Sequence, residues 1–454
     1  MTTNTNTNPF TPEVKECPYP AYDQWRAEAP VVWSDEIQAW MVTDFEVAKQ
    51  VLEDHETFSS KNSVFGGPQI EHPEFPSMIN HDEPDHKKLR ALVSKAFTPR
   101  TIDEAWEPRI REYVSELLDA VEVRGDGELE IVGDLAYPLP VQMIAEIIGV
   151  PPQFFEQFKL WSNRIAQGIG RIPEHGYASF EEAAEAAEEA LSDDDGREYT
   201  AEEVARFNER GVREAAEPEA EAEAEVEASD EDSLFMYFLQ QVQERRAAPR
   251  EDLITRLVEA EVDGEQLTDI ELVAFLVLLL VAGNETTTNL INHTIRGLAE
   301  NPDQQRHLRE HPELLAATME EALRWESPIQ SFYRRAHVDT TVAGTEVKAG
   351  QALLVIYGAA NHDPAHYECP ADFDIERFNV DSGSRDHLAF GRGIHTCLGA
   401  NLARIEAAAA IQGVLDRSAW IAPIEDQEVE WWDTPFFRGP LAYRVRLEET
   451  VPAE

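Results

Sequence analysis

Phe390-Gly391-Arg392-Gly393-Ile394-His395-Thr396-Cys397-Leu398-Gly399 is the stretch on which the reading of this chain turns. Its glycines, at 391, 393 and 399, are too dense for a helix, so the segment is a loop. The Ala-rich run that follows, from Ala400 to about Leu415, predicts a helix. Cys397 therefore stands in a glycine loop that leads into a helix N-terminus. The positive end of a helix lowers a thiol pKa, and the three glycines let the backbone turn tightly and aim amides at the sulfur. A thiolate held in this way is suited to ligating a metal. The plain alternative is a small, buried, inert cysteine, and the rest of the chain argues against it.

Working outward, a long apolar helical pattern over Asp269–Leu298 carries Ala282-Gly283-Asn284-Glu285-Thr286-Thr287 late in its course. A glycine, an acid and threonines so close together in a buried helix have two readings. They are a kink with a Ser/Thr back-bond, or a site of proton chemistry. Further on, Glu321-Ala322-Leu323-Arg324 lies in the helical pattern Pro312–Trp325. An i,i+3 pair alone is a surface salt bridge worth little. Phe373-Asp374-Ile375-Glu376-Arg377-Phe378 follows it about fifty residues later. Upstream, Asp82-Glu83-Pro84-Asp85-His86-Lys87-Lys88-Leu89-Arg90 opens a helix, with Pro84 and the acids suited to the first turn. His86 and Arg90 then share one face, which in isolation is a solvated basic surface.

The spacing F-G-x-G-x-H-x-C-x-G resembles the haem-binding loop of the cytochrome P-450 family of haem-thiolate monooxygenases, soluble bacterial or archaeal type. The other motifs stand in that family's order, from about Asn8 to Leu447. The resemblance implies a mainly α fold with a small β region in one large domain. It implies haem b with Cys397 as axial thiolate, whose donation favours O–O cleavage, and dioxygen as co-substrate. Phe390, Gly391, His395 and Gly399 match the haem loop. His86, Arg90, Arg334 and His395 are assigned to the haem propionates, with Arg335 a close competitor for Arg334. Gly283, Glu285 and Thr286 match the oxygen-activation motif: Gly283 to open the backbone beside the haem, Thr286 to hydrogen-bond dioxygen, Glu285 to relay protons through water. Glu321, Arg324 and Arg377 are implied to form a buried charge-assisted network that locks the segment leading to Cys397.

The family's pocket maps onto the loop around Ser63–Met78, the helix face at Phe275 and Leu279, Pro328–Phe332 with Ile329, and Phe436-Phe437, with Phe436 expected on the wall. These residues are mostly apolar and imply an apolar organic substrate. The chain has no reductase module, so the resemblance implies a separate ferredoxin and a ferredoxin reductase using NAD(P)H. Three of the eight lysines, Lys87, Lys88 and Lys95, fall within nine residues. With Arg392, Lys87 and Lys88 are expected to form a local positive spot that steers an acidic ferredoxin. Two rival functions remain: a peroxide-driven peroxygenase, against which Glu285 and Thr286 argue, and a non-catalytic haem sensor or carrier.

Composition bounds the rest. Against 88 acids stand 38 Lys and Arg, a net charge of −50. Nucleic-acid binding is excluded as an expectation, because phosphates would be repelled. The acids spread along the whole chain, which reads as a solvated surface kept soluble in concentrated salt, as in proteins of salt-loving archaea, rather than as an acidic tail. Residues 181–232 stand apart, with 22 acids and four arginines and the repeat Glu219-Ala220-Glu221-Ala222-Glu223-Ala224-Glu225. They are expected to be a solvated, partly disordered insertion in the 9–447 domain, the alternative being a docking arm or lid extension. Residues 1–8 are expected to be a disordered tail and 448–454 a C-terminal tail. Cys17, Cys369 and Cys397 form no disulfide framework or CxxC site, which suits a reducing cytoplasm. The polar N-terminus is not a signal peptide, and the longest apolar run, Leu272–Ala282, is too short to span a bilayer, so no membrane anchor is expected.

Overall fold

Thr268 begins the central element of the fold. Its side chain accepts the Glu271 N–H, and the Glu271 carboxylate accepts the Thr268 N–H in return, a capping box that starts the helix Asp269–Glu300. The apolar pattern predicts this helix to within two residues at its C-terminal end. It is buried along most of its length and packs against Pro138–Ile148, Asp230–Ala247, Leu315–Trp325 and Ala400–Arg417. The helix after the cysteine loop, Ala400–Arg417, packs in turn on Pro99–Arg124. Gly413 allows the close contact, since a Cβ there would lie 2.7 Å from Val114 Cγ1.

This computed structural model describes residues 8–61, 78–96, 99–151, 154, 158, 161, 230–262, 264–378, 386–434 and 436–451. The expected insertion therefore lies outside the described residues up to 229, as do residues 1–7 of the tail and 62–77 of the pocket loop. Among the described residues, twelve short strands accompany the helices. They are β1 (Val31–Ser34), β2 (Ala39–Val42), β3 (Phe58–Ser59), β4 (Glu128–Glu130), β5 (Glu261–Val262), β6 (Glu265–Gln266), β7 (Ser331–Ala336), β8 (Thr340–Val342), β9 (Thr345–Val347), β10 (Ala352–Ile356), β11 (Trp420–Pro423) and β12 (Arg444–Glu448). One sheet runs in the order β1-β2-β10-β7-β3, and a second in the order β11-β12-β4. Trp40-Met41-Val42, which follows the turn-like Asp35-Glu36 and so predicts a strand, lies in β2; the alternation over Val338–Val355 around Gly344 and Gly350 predicts a small sheet with turns, and these two glycines separate β8, β9 and β10.

Among the described residues, two segments, Ile131–Ile148 and Asp269–Glu300, are long and apolar enough to cross a membrane by length and composition. The helix Asp269–Glu300 extends well beyond the apolar run Leu272–Ala282. In the fold both segments are largely buried against other elements of the chain.

Candidate active site

The glycine loop wraps Cys397 by backbone hydrogen bonds. The Gly391 N–H donates to the Leu388 carbonyl at 2.8 Å and the Cys397 N–H to the Phe390 carbonyl at 2.9 Å. Gly391 and Gly393 both have positive φ, and a Cβ on Gly393 would lie 2.5 Å from the Leu52 carbonyl oxygen. Gly399 differs from the expectation. Its φ is −83°, open to any residue, and a Cβ there would meet nothing within 4 Å. What it contributes is empty space.

That space belongs to a cavity of about 1570 Å³, its open mouth included. Cys397 lies deep in the fold, yet its thiol opens onto this cavity. Burial pushes the thiol pKa up. The backbone N–H groups of Gly399 and Ala400 and the charges of Arg404 and Arg90 oppose it. The helix end acts in the expected direction, but in the protein alone burial outweighs it.

Two networks hold the loop. Arg324 donates to both carboxylate oxygens of Glu321, at 2.8 and 2.7 Å, and both side chains are fully buried. Arg377 Nε adds bonds of 3.2 and 3.1 Å to the same carboxylate. Arg324 also donates to the carbonyls of Asn361, Pro370 and Asp372. The Asn361 side chain then accepts the Leu388 N–H at 2.8 Å, two residues before Phe390. A run of hydrogen bonds thus leads from Glu321 to the cysteine loop. Sequence reasoning missed the second network. Glu320 accepts from Arg404 at 2.6 and 2.8 Å and contacts His387 Nε2 at 2.9 Å, while Arg404 lies over the Phe390 ring at 4.5 Å. Burial would raise the Glu320 carboxyl, but bonds from Arg404 and His387 hold it down at about 2. Its one sequence signal is the position of Arg404, in the second turn of the helix that follows the cysteine loop.

The long helix supplies Phe275, Leu279, Gly283 and Thr286 to the cavity wall. Two findings modify the expectations here. The helix runs unbroken through Gly283, where a Cβ would lie 2.6 Å from Ile144 Cδ1, so this glycine permits helix packing rather than an opening of the backbone. The Thr286 hydroxyl donates to the Ala282 carbonyl at 2.7 Å. That back-bond leaves the hydroxyl oxygen as an acceptor. Glu285 is buried beside this wall, and burial pushes its carboxyl up to about 7.

His86, Arg90, Arg334 and His395 also line the cavity. The imidazoles of His86 and His395 lie 4.3 Å apart between ring centroids, and the buried Nε2 of each has no hydrogen-bond partner among the described residues. Burial lowers both pKa values, that of His395 to about 3 with help from Arg334, His86 and Arg90. Strand alternation decides between the neighbouring arginines of β7. Arg334 reaches the cavity, whereas Arg335 donates to the Gly350 carbonyl. Alternation also corrects the expectation for Phe436. Phe437 pairs with Ile329 in a bridge and lines the cavity beside it. Phe436 is not part of that lining, although both rings belong to one core cluster with Tyr22, Trp25 and Tyr333.

The expected positive spot is weaker than its residues suggested. Lys88 pairs with Glu265 and Arg392 with Asp386. Lys87 is exposed, and the side chain of Lys95 lies outside the described set.

The cavity has a cysteine thiol, a glycine that leaves space beside it, two imidazoles each with an unpartnered Nε2, and two arginines. That donor set fits a flat, iron-containing ring bearing two carboxylates. Comparisons with known proteins agree. The cytochrome P450 family profile matches residues 223–434, and the chain belongs to this family of haem-dependent oxidoreductases, the cytochrome P450 monooxygenases. Within it, the chain is 37% identical to putative cytochrome P450 YjiB of Bacillus subtilis, over 95% of this chain and 94% of that one. It is 32% identical to the monooxygenase PikC of Streptomyces venezuelae, over 94% and 91%. Among solved structures, CYP109E1 of Bacillus megaterium with testosterone superposes with a TM-score of 0.73 at 35% identity, covering 95% of this chain and 99% of that one. The fold is the mainly α P450 fold with a small β region, in a single domain. The family's cofactor is haem b with a cysteine thiolate as axial ligand, its co-substrate is dioxygen, and bacterial members typically take electrons from redox partners.

Proposed function

We propose that this chain inserts one oxygen atom from dioxygen into an apolar organic substrate, at the cavity that joins Cys397 to Gly283 and Thr286. The observation that carries this reading is the shared wall: the cysteine loop, the acid–threonine turn and an apolar lining of Phe275, Leu279, Ile329, Phe332 and Phe437 meet in one space. Haem bound to the Cys397 thiolate supplies the oxygen-activating chemistry. His86, Arg90, Arg334 and His395 hold its two carboxylates as hydrogen-bond donors, the two imidazoles acting in their neutral form. Glu321, Arg324 and Arg377, with Glu320 and Arg404, fix the loop that aims the sulfur. Thr286 turns its hydroxyl from the Ala282 carbonyl toward dioxygen. Glu285, kept protonated up to a pH of about 7 by burial, gives a proton toward Thr286 and recovers one from water.

Electrons come from a separate ferredoxin and an NAD(P)H-dependent reductase. With Lys88 and Arg392 paired to acids, exposed Lys87 is the member of that expected spot assigned to steer the encounter. The dispersed acidity suits a cytoplasm of high salt, and the acidic segment 181–232 is read as a spacer within the domain.

The test uses purified, haem-loaded protein. The reduced carbon monoxide difference spectrum should be that of a thiolate-ligated haem and should be lost in Cys397→Ser. A panel of apolar probes, testosterone and a fatty acid among them, is then scored by Soret shift and by turnover. Turnover with ferredoxin and reductase that exceeds turnover with peroxide alone supports the monooxygenase. The reverse ratio makes it a peroxygenase. Ligands that bind and are never oxidised make it a haem sensor or carrier.

A further inference from the structure

Away from the cavity, His307-Leu308-Arg309-Glu310-His311 closes the helix Pro302–Glu310. The His311 N–H donates to the His307 carbonyl at 2.9 Å, so the two imidazoles stand one turn apart on one face. Their ring centroids are 4.7 Å apart. One donor atom from each of His307, Glu310 and His311 lies within 4.8 Å of the other two. Donors bound to one zinc at about 2.0–2.2 Å can be at most about 4.4 Å apart, so a small side-chain rotation closes the set.

Each imidazole also has a carboxylate behind it. Glu376 Oε1 lies 3.4 Å from His307 Nε2, and Glu313 Oε1 lies 3.2 Å from His311 Nδ1. Metal-binding histidines are commonly oriented in this way, with a carboxylate on one ring nitrogen and the ion on the other. On His311 the Glu313 contact at Nδ1 leaves Nε2 for an ion, while the Glu376 carboxylate lies near His307 Nε2 without a hydrogen bond to it. The turn itself is well anchored. Leu308 is buried, and Gln305 bonds to the Leu298 and Ile421 carbonyls at 3.1 and 2.8 Å and accepts the Ile421 N–H at 2.9 Å. Both imidazoles keep access to solvent, at 34% and 48% side-chain exposure.

We propose that His307, Glu310 and His311 form a surface site for a divalent transition-metal ion of the zinc class, with water completing the coordination. Imidazoles select such an ion over magnesium or calcium, which prefer all-oxygen sites. Glu376 directly precedes Arg377, which grips Glu321. A bound ion therefore ties the helix Pro302–Glu310, through His307 and Glu376, to the segment that the Glu321 network holds. The site's role is structural.

Calorimetric titration of the haem-loaded protein with Zn²⁺ tests this, in a Cys17→Ser/Cys369→Ser background so that exposed thiols do not compete. Excess Mg²⁺ is present to occupy acidic surface. The expected result is one Zn²⁺ per chain, with affinity at least tenfold weaker in His307→Ala and in His311→Ala. Thermal unfolding should shift upward with Zn²⁺ in the parent and not in either variant. Unchanged haem content and Soret spectrum in both variants show that they fold. A double variant, His307→Ala/His311→Ala, that binds Zn²⁺ as tightly as its parent overturns the proposal, as does titration with no saturable site in the parent.

Discussion

Phe436 and Phe437 are neighbours of identical chemistry, and Phe437 alone of the two reaches the cavity. Both are buried in the cluster with Tyr22, Trp25 and Tyr333, and Phe437 also lines the cavity beside Ile329. Phe437→Ala is expected to cost about 3–5 kcal/mol in urea unfolding and also to change substrate affinity, read as a shifted Soret titration. Phe436→Ala should cost a similar amount and leave that titration unchanged; a shifted titration in both variants, or in neither, would contradict the assignment. Glu285 titrates as a buried acid, raised from 4.5 to about 7. Between those pH values the unfolded chain has released this proton and the folded chain still holds it, so the group lowers stability as pH rises through that window and exerts its full penalty above it. Glu285→Gln should therefore be more stable than the parent by ~3 kcal/mol above pH 7, with the difference vanishing below 4.5. A stability difference that does not vary with pH would refute the shift. Neither fate is legible in the sequence. Which of two adjacent aromatics, or of Arg334 and Arg335, faces a cavity depends on strand phase, and the burial of Glu285 depends on what surrounds its helix.

The elements themselves were largely legible. Apolar period and alanine content locate the helices Asp269–Glu300 and Ala400–Arg417, and the glycines 344 and 350 locate the turns between β8, β9 and β10. Their contacts were not. Gly283 matches a motif whose usual reading is an opened backbone, yet here it is where the long helix meets Ile144. Gly283→Ala should destabilise by about 1–3 kcal/mol through overpacking. Ile144→Val removes the Cδ1 atom in the way and should recover most of that loss. Simple additivity in this double-mutant cycle would show that the two residues do not share the contact. The Glu320–Arg404–His387 network escaped notice for the same reason, since its members lie 17 to 84 residues apart. The Glu321–Arg324–Arg377 network was found through the order of its motifs. Its bidentate geometry and full burial, which make it strong, came from the fold.

At the scale of the whole molecule the governing quantity is the net charge of −50. Such a surface repels itself, and salt screens the repulsion. Thermal stability of the haem-loaded protein should rise steeply with added potassium chloride and fall as salt is withdrawn; full stability in dilute buffer would count against this. The charge was countable from the sequence because it needs no geometry. The chemistry of the cysteine loop was legible for a related reason: a glycine-rich turn, a histidine and a cysteine at fixed spacing form a local structure, and local structure follows from local sequence. Length, composition and these short motifs thus determined the family, the cofactor and the order of the elements. Only the tertiary structure decided which side chains face the cavity, that burial outweighs the helix end at the Cys397 thiol, and that His307 and His311 have carboxylates of Glu376 and Glu313 behind them. Those outcomes depend on which surfaces meet across the chain, and pairing between distant segments is set by packing and strand phase, which no short stretch of sequence encodes.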